Sequence, residues 1–190
     1  MRGDSSADQD LGLTGRFAPS PTGPLHIGSL VTALASYCDI KQQGGRWYLR
    51  IDDIDPVRTG PRAIADITRT LHVHGLIPDA DLRQQSHFVP RYERALQQLI
   101  EHCFYCRCSR SELQGHKLYP GYCRAITEKT SNRAVRIRVD PQRRSFIDAL
   151  KGNYDYVLAD DFGDFVIWRK DDLVTYHLAT ACDDAMDYSH

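Results

Sequence analysis

The residues with the clearest chemical potential lie near the N-terminus, over residues 16–29, where the sequence is RFAPSPTGPLHIGS. Its prolines and glycine predict a tight turn between a short strand and the first turn of a helix. Such a junction directs backbone N–H groups and the positive end of the helix dipole towards one point, which suits a phosphate group. His26 could donate a hydrogen bond to a phosphate oxygen, and Gly28 would let a nucleotide approach the backbone closely. Taken alone, the four residues His-Ile-Gly-Ser over 26–29 favour an ordinary strand-to-helix turn with a solvated histidine.

A second chemical feature is a group of cysteines, since four of the six lie within residues 103–123. In a chain without a secretory signal, such clustering favours metal binding or reactive thiols over disulfides. Cys106, Cys108 and Cys123 offer three thiolates, and zinc takes four tetrahedral ligands, usually cysteine or histidine. The spacing therefore predicts a metal site with His116 as one candidate for the fourth ligand, and reduced thiols without a metal are the alternative.

The composition is that of a globular protein, with 190 residues, 42% hydrophobic residues and a formal net charge of −1. The length suffices for one domain with a real core and a subdomain. Near-neutral charge excludes a global positive field, so any RNA contact has to be local.

The densest basic stretch can pair with phosphates, although a solvated strand face explains it equally well. It comprises Arg133, Arg136, Arg138, Arg143 and Arg144. We find no run long enough to span a membrane and no secretory signal, which predicts a cytoplasmic protein.

The elements that must position these residues alternate along the chain. We predict strands over 14–20 and 46–51, and helices over 30–40, 61–76 and 92–102. This order predicts an α/β fold with a parallel sheet and helical crossovers. Residues 103–124 show no periodic pattern, and they are followed by predicted strands over 134–139, 156–158 and 165–168 and a helix over 175–186.

The change of pattern after residue 102 predicts the domain organisation. We expect a disordered tail over 1–13, a catalytic α/β domain over 14–102 and 172–190, and an inserted subdomain over 103–171. The chain stops in mid-pattern at residues 187–190 without a closing strand, so a fragment or a shortened chain is expected.

The 16–29 segment resembles the first signature of class I aminoacyl-tRNA synthetases, usually His-Ile-Gly-His, with Ser29 in the fourth place. Its surroundings are similar to the glutamyl and glutaminyl version. Further matching segments are RIDDID over 50–55 with Arg58, AVRIR over 134–138, DFVIWR over 164–169, and TYHLA over 175–179 with Asp183 and Asp184. Ser29, the RIDDIDP form and the cysteine cluster together resemble glutamyl-queuosine tRNA(Asp) synthetases. These are paralogues of glutamyl-tRNA synthetase that lack the anticodon-binding domain.

The resemblance implies a Rossmann-like class I catalytic domain, incomplete at its C-terminus, with an inserted zinc-binding subdomain. It implies ATP-dependent activation of glutamate to glutamyl-adenylate, with Mg²⁺, and transfer of glutamate to queuosine in the anticodon loop of tRNA(Asp). The alternatives are the N-terminal part of a conventional glutamyl-tRNA synthetase and an inactive, zinc-stabilised module that binds nucleotide or RNA. A monomer is expected.

The resemblance also implies residue roles. Catalysis is assigned to His26, Gly28 and Ser29, and ATP binding to Pro19, Thr22, Gly23, His26 and Gly28. Glutamate binding is assigned to Arg16, Ala18, Ser20, Asp52 and Tyr176, and structural zinc to Cys106, Cys108, Tyr119 and Cys123. Arg16 suits the substrate's side-chain carboxylate because a guanidinium binds carboxylates bidentately. Asp52 stands where the family usually has the glutamate that holds the substrate ammonium, so a water-mediated contact or a shifted pose is expected.

Two family features are absent from the 190 residues, namely an arginine in a Val-Arg-Gly segment and a lysine loop that neutralises the ATP phosphates. Without these cations, the charge on the phosphate oxygens of the transition state is less well stabilised. We therefore expect this chain alone to activate glutamate very poorly.

Overall fold

The structure is a computed structural model that describes residues 13–60 and 62–187. The predicted tail, except for Leu13, and residues 188–190 lie outside the described residues. The chain divides into two compact units, which we call unit 1 (Met1–Phe88 with Asp183–His190) and unit 2 (Val89–Cys182). The division predicted from the sequence, with an insertion over 103–171, stays a prediction.

Unit 1 is built on a three-stranded parallel sheet in the order β1-β2-β3, which confirms the predicted parallel α/β architecture. Its strands are β1 (Thr14–Phe17), β2 (Arg46–Ile51) and β3 (Arg83–Gln84), and its helices are α1 (Ile27–Gln42) and α2 (Ala63–Val73), followed by a 3₁₀ turn over Gln85–Phe88. Each helix connects two neighbouring parallel strands, as a crossover of this kind requires. The carboxyl ends of the strands therefore lie at one edge of the sheet.

The core of unit 1 follows from the alternation along β2. Trp47, Leu49 and Ile51 are buried in one cluster with Phe17 of β1, whereas Arg50 is directed to the opposite face of the strand. A Cβ atom at Gly15 would lie 2.3 Å from Cγ1 of Ile40 on α1, so the close packing of α1 on β1 requires glycine there.

Unit 2 contains an antiparallel sheet in the order β4-β5-β8 and a separate hairpin of β6 and β7. Its strands are β4 (Cys103–Cys106), β5 (Ala134–Ile137), β6 (Arg143–Asp148), β7 (Gly152–Val157) and β8 (Val166–Trp168). Its helices are α3 (Val89–Leu99) and α4 (Leu158–Asp161), with a 3₁₀ turn over Ile100–His102. Helix α5 (Tyr176–Asp187) begins in unit 2, and its residues from Asp183 onward belong to unit 1.

Three predictions for unit 2 are corrected by the structure. Residues 103–106, predicted to lack a regular element, form β4, whose four residues are all buried and therefore show no alternation. Strand β6 was not predicted. The strand predicted over 156–158 overlaps only the end of β7, and Leu158 instead begins α4. None of the helices described here is long and apolar enough to cross a membrane.

Candidate functional site

The turn that follows β1 is held by backbone hydrogen bonds from the chain that leaves β2. The Asp52 N–H donates to the Pro19 carbonyl at 3.0 Å, and the Gly60 N–H donates to the buried Pro21 at 2.9 Å. The turn carries Ala18, Pro19, Ser20, Thr22 and Gly23, the residues assigned to glutamate or ATP on this segment. It therefore lies at the carboxyl edge of the parallel sheet, where open α/β folds bind their ligands.

His26 has a role that the sequence analysis missed, since it is the N-cap of α1. Its Nδ1 accepts a hydrogen bond from the Ser29 backbone N–H at 3.3 Å, and its Nε2 lies 3.0 Å from the Ser29 hydroxyl. Because Nδ1 accepts, the neutral ring carries its proton on Nε2, which then donates to the Ser29 hydroxyl. A Cβ atom at Gly28 would lie 3.1 Å from the His26 ring, so glycine allows this ring position.

Arg16 and Arg50 share one carboxylate in unit 1. Arg16 donates from Nε and Nη2 to the two oxygens of Asp184, at 2.7 and 2.6 Å. Arg50 donates from Nη1 to Asp184 at 2.8 Å and from Nε to Asp52 at 2.7 Å. Asp183 lies 3.8 Å from Arg50 and accepts a hydrogen bond from the buried Gln85. We call Arg16, Arg50, Asp52, Asp183 and Asp184 the arginine–aspartate network.

The network places Asp52 in a buried position. Its side chain is only 1% exposed and contacts Arg50, so its assignment to the substrate ammonium stays a prediction. The sequence analysis gave no role to Arg50 and quoted Asp183 and Asp184 only as part of a matching segment. Arg50, which stands between Leu49 and Ile51 in β2, was the signal that could have indicated a buried ion pair.

The pKa values of the network depend on two opposing effects, which are desolvation by burial and pairing with groups of opposite charge. Burial raises the pKa of Asp52, and the adjacent Arg50 opposes this shift by favouring the carboxylate. For Asp184 burial acts in the same direction, but hydrogen bonds from Arg16 and Arg50 outweigh it and lower its pKa. Desolvation lowers the pKa of Arg50, yet Asp52 and Asp184 raise it overall, so the guanidinium stays charged.

Tyr176, the remaining residue assigned to glutamate, is the first residue of α5 and belongs to unit 2. Its side chain is 53% exposed, and its ring centroid lies 6.1 Å from that of His177. Its assignment to glutamate stays a prediction.

The four residues assigned to zinc come together at the end of β4. The three thiols of Cys106, Cys108 and Cys123 lie within 4.8 Å of one another. The Tyr119 hydroxyl is 3.5 Å from Cys106 Sγ and 3.7 Å from Cys108 Sγ, and the sulfurs of Cys108 and Cys123 are 3.6 Å apart. The rival ligand His116 instead contacts the Tyr122 hydroxyl at 3.2 Å.

These distances fit a tetrahedral zinc ion. Zinc–sulfur bonds of about 2.3 Å and a zinc–oxygen bond of about 2.0 Å separate two sulfurs by about 3.8 Å and sulfur from oxygen by about 3.5 Å. The observed separations between Cys108 and Cys123, and between Tyr119 and both Cys106 and Cys108, lie close to these values. Three of the six separations among the four donors therefore match those of a tetrahedral zinc site.

The surroundings of the cluster affect its proton affinities. Burial opposes ionisation of Cys123, but hydrogen bonds with Tyr119, the Arg107 backbone and the neighbouring thiols lower its pKa to about 7. Burial raises the pKa of Cys108 to about 11, so the two thiols differ widely in proton affinity. The Arg136 guanidinium carbon lies 4.0 Å from the centroid of the Tyr119 ring and fixes that ring from one side.

Comparison with known proteins gives consistent matches. The family described as "tRNA synthetases class I (E and Q), catalytic domain" matches residues 13–190. Among curated relatives, a glutamyl-Q tRNA(Asp) synthetase of Ectopseudomonas mendocina is 44% identical over 174 residues, covering 90% of this chain and 59% of the relative. One from Pseudomonas fluorescens is 43% identical over 183 residues, covering 95% and 61%. The chain thus spans about three-fifths of the length of these relatives.

A solved structure gives the same match. The crystal structure of a glutamate tRNA ligase from Elizabethkingia meningosepticum in complex with its amino acid superposes with a TM-score of 0.76 at 25% identity. The alignment covers 91% of this chain and 41% of that protein. Sequence and fold comparisons therefore agree on the family of class I tRNA synthetase catalytic domains.

Proposed function

This chain belongs to the family of class I tRNA synthetase catalytic domains for glutamate and glutamine, and from that membership we propose that it supplies the substrate-activating part of a glutamyl-queuosine tRNA(Asp) synthetase. The reaction joins glutamate to ATP as glutamyl-adenylate, releases pyrophosphate, and transfers glutamate to queuosine in tRNA(Asp). The observation that carries this proposal is the identity of 41–44% to relatives with that name over 90% or more of the chain. The partners are glutamate, ATP with Mg²⁺, and the tRNA, all of which are found in the cytoplasm.

The geometry supports an adenylate site at the carboxyl edge of the unit 1 sheet. The turn after β1 and the first turn of α1 present backbone N–H groups where the ATP phosphates bind, with Gly28 allowing close approach. In the proposed reaction, the Nε2–H of His26 leaves the Ser29 hydroxyl and donates instead to a phosphate oxygen as negative charge develops. Thus His26 orders the start of the helix and serves the nucleotide.

Arg16 supplies recognition of the side-chain carboxylate of glutamate. Its guanidinium has five N–H donors, and Asp184 accepts two of them. A guanidinium held by one carboxylate is oriented before a second carboxylate arrives, which reduces the entropy lost on binding. Asp52, buried beside Arg50, acts on the substrate ammonium through water.

Unit 2 holds a structural zinc ion in this proposal. Cys106, Cys108, Tyr119 and Cys123 are its four ligands, and a bound zinc links segments that are otherwise held by packing and weak hydrogen bonds. All four tetrahedral positions are taken by protein groups, so the metal stabilises the fold and takes no part in the reaction.

The experiment that tests the proposal compares two non-hydrolysable adenylate analogues by calorimetry, one carrying glutamate and the other glutamine. We expect tighter binding of the glutamyl analogue, and loss of this preference in Arg16→Gln. The preference is a ratio of two affinities, so a general loss of stability in the variant would not by itself abolish it. Arg46→Gln, which changes an exposed arginine of β2, is the matched control and should keep the preference.

Transfer of labelled glutamate to tRNA identifies the acceptor, and it is measured with the chain extended by the remaining C-terminal part of a relative, because the 190 residues alone are expected to activate glutamate very poorly. Queuosine-containing tRNA(Asp) should be labelled, and tRNA(Asp) without queuosine and tRNA(Glu) should not. Labelling of tRNA(Glu) would instead identify the N-terminal part of a conventional glutamyl-tRNA synthetase. Binding of the analogue without ATP–pyrophosphate exchange by the extended chain would support the inactive binding module, and failure to bind either analogue would refute the adenylate site.

A further inference from the structure

Unit 2 contains a cavity that the proposed function does not use. Its volume is about 720 Å³, within the range of about 300–1,000 Å³ that is typical of small-molecule sites. Helix α3 and the loop over residues 129–133 line it, and the buried rings of Tyr105 and Trp168, 7% and 6% exposed, also face it. Only residues of unit 2 line the cavity, and none of them belongs to the arginine–aspartate network.

The charged residues that line the cavity are predominantly basic. The four cations are Lys129, Arg133, Arg169 and Lys170, and the two acids are Glu93 and Asp172. Several of these groups already have partners within the protein. Arg169 pairs with Asp171, Lys170 donates to a backbone carbonyl, and Asp172 accepts a hydrogen bond from the Trp168 indole at 2.9 Å.

Two cations of the cavity are unpaired. Across the part of the chain that the structure describes, neither the Lys129 ammonium nor the Arg133 guanidinium has a hydrogen bond or an ion pair. Nη1 of Arg133 is in addition shielded from water without a partner. A guanidinium nitrogen removed from water without a hydrogen bond is costly, and an anion beside it offsets this cost.

From these observations we propose that the cavity binds a phosphate group, with Arg133 and Lys129 as its charged contacts. Arginine binds phosphate through two parallel N–H donors, and lysine adds a second positive charge. Thr130 and Ser131 on the same loop provide hydroxyl donors. The volume exceeds that of one phosphate, so an attached sugar or base fits against the rings of Tyr105 and Trp168.

The source of the phosphate is either the backbone of an RNA or a free nucleotide, because both present the same group. The inference does not rest on the proposed function, since inorganic phosphate is sufficient to test it. A phosphodiester lies within a nucleic-acid chain, whereas the phosphate of a nucleoside monophosphate is terminal and carries more negative charge. Separate titrations therefore distinguish them.

The test uses the two tryptophans of the chain as reporters in ¹H–¹⁵N spectra of the zinc-loaded protein. Trp168 lines the cavity, whereas the Trp47 indole lies in the core of unit 1 and donates to Ser36, so its signal is an internal reference. Inorganic phosphate, titrated at constant ionic strength against chloride, should shift the Trp168 indole signal saturably and leave that of Trp47 in place.

Variants then locate the contacts. Arg133→Gln and Lys129→Gln should each weaken phosphate binding at least tenfold, and Arg144→Gln, on the exposed face of the hairpin, should leave it unchanged. Lys129 is exposed, so its substitution keeps the test valid if Arg133→Gln does not fold. No saturable shift, or unaltered affinity in Lys129→Gln and in a folded Arg133→Gln, would overturn the proposal.

Two further titrations identify the source. Tighter binding of oligouridylate without a terminal phosphate than of adenosine monophosphate indicates an RNA backbone. The reverse order indicates a free nucleotide. Binding of uridine nucleoside with the same affinity as either would show that phosphate is not recognised, and would contradict the proposal.

Discussion

The two candidate sites differ in how their polar groups are stabilised. The arginine–aspartate network of unit 1 sets opposite charges against one another, so its carboxylates and guanidiniums stabilise each other within the protein. The cysteine cluster of unit 2 brings together three thiols and a phenol, which all favour the same kind of partner, a cation. The first site therefore stabilises its charged groups by pairing them within the protein, and the second has the donors of a metal site.

The largest effect is expected at the centre of the network, with Arg50→Met. Arg50 is 1% exposed, and its removal leaves Asp52 and Asp183 buried beside an apolar side chain. Breaking a buried pair in this way typically costs about 3–5 kcal/mol, so the urea midpoint should fall sharply. The control Arg46→Met changes an exposed arginine of the same strand and should alter stability by no more than about 0.5 kcal/mol. Equal effects of the two variants would show that the network does not stabilise unit 1.

The corresponding change in the cysteine cluster is Cys123→Ser. Metal analysis should find one zinc per chain in the unchanged protein and none in the variant. Free zinc at 100 times its dissociation constant stabilises the folded state by about 2.7 kcal/mol, and this increment should disappear. Cys38→Ser, at an exposed cysteine of α1, should keep both the metal and the increment. Zinc retained by Cys123→Ser would remove this residue from the ligand set.

The smallest effect is expected for Asp184→Asn, through the pH dependence of unfolding. Because pairing lowers the pKa of Asp184 in the folded state, it stabilises the fold above its unfolded pKa, near 3.8, and this stabilisation is lost as pH falls through the lower folded value. Asp184 is 37% exposed, so solvent screening limits the loss at pH 7 to about 1 kcal/mol. Urea unfolding at pH 7 and pH 3 should show a smaller difference in Asp184→Asn than in the unchanged protein, whereas the exposed Asp81→Asn should behave as the unchanged protein does.

How well the sequence predicts these two sites depends on how far apart their residues lie along the chain. The three cysteines of the cluster lie within residues 106–123, so their spacing is visible in the sequence, whereas Tyr119 was added only by the family resemblance. The pairing of Arg16 with Asp184 joins residues 168 positions apart, and no spacing rule indicates it. Asp184, the missed partner of Arg16, is therefore one that only the folded chain brings close, whereas Arg50, the missed partner of Asp52, lies two residues away.

How well each strand was predicted depends on whether its apolar residues alternate between a buried and an exposed face. Strand β2 was predicted with its exact limits because its apolar residues alternate, with one face buried in the core. Strand β4 was missed because both of its faces are buried, which removes the alternation on which the prediction depends. Strand β6 was missed because nearly all of its apolar and charged residues are exposed together, and β7 was predicted only at its end, over 156–157.

The contact between Arg16 and Asp184 also has a consequence for biosynthesis. The N-terminal strand is made first, but the carboxylate that pairs with Arg16 and Arg50 is added 168 residues after Arg16. The arginine–aspartate network of unit 1 therefore cannot form before Asp184 has been translated, whereas unit 2 is encoded in one uninterrupted stretch. During translation, then, the region that begins first is the one that finishes last.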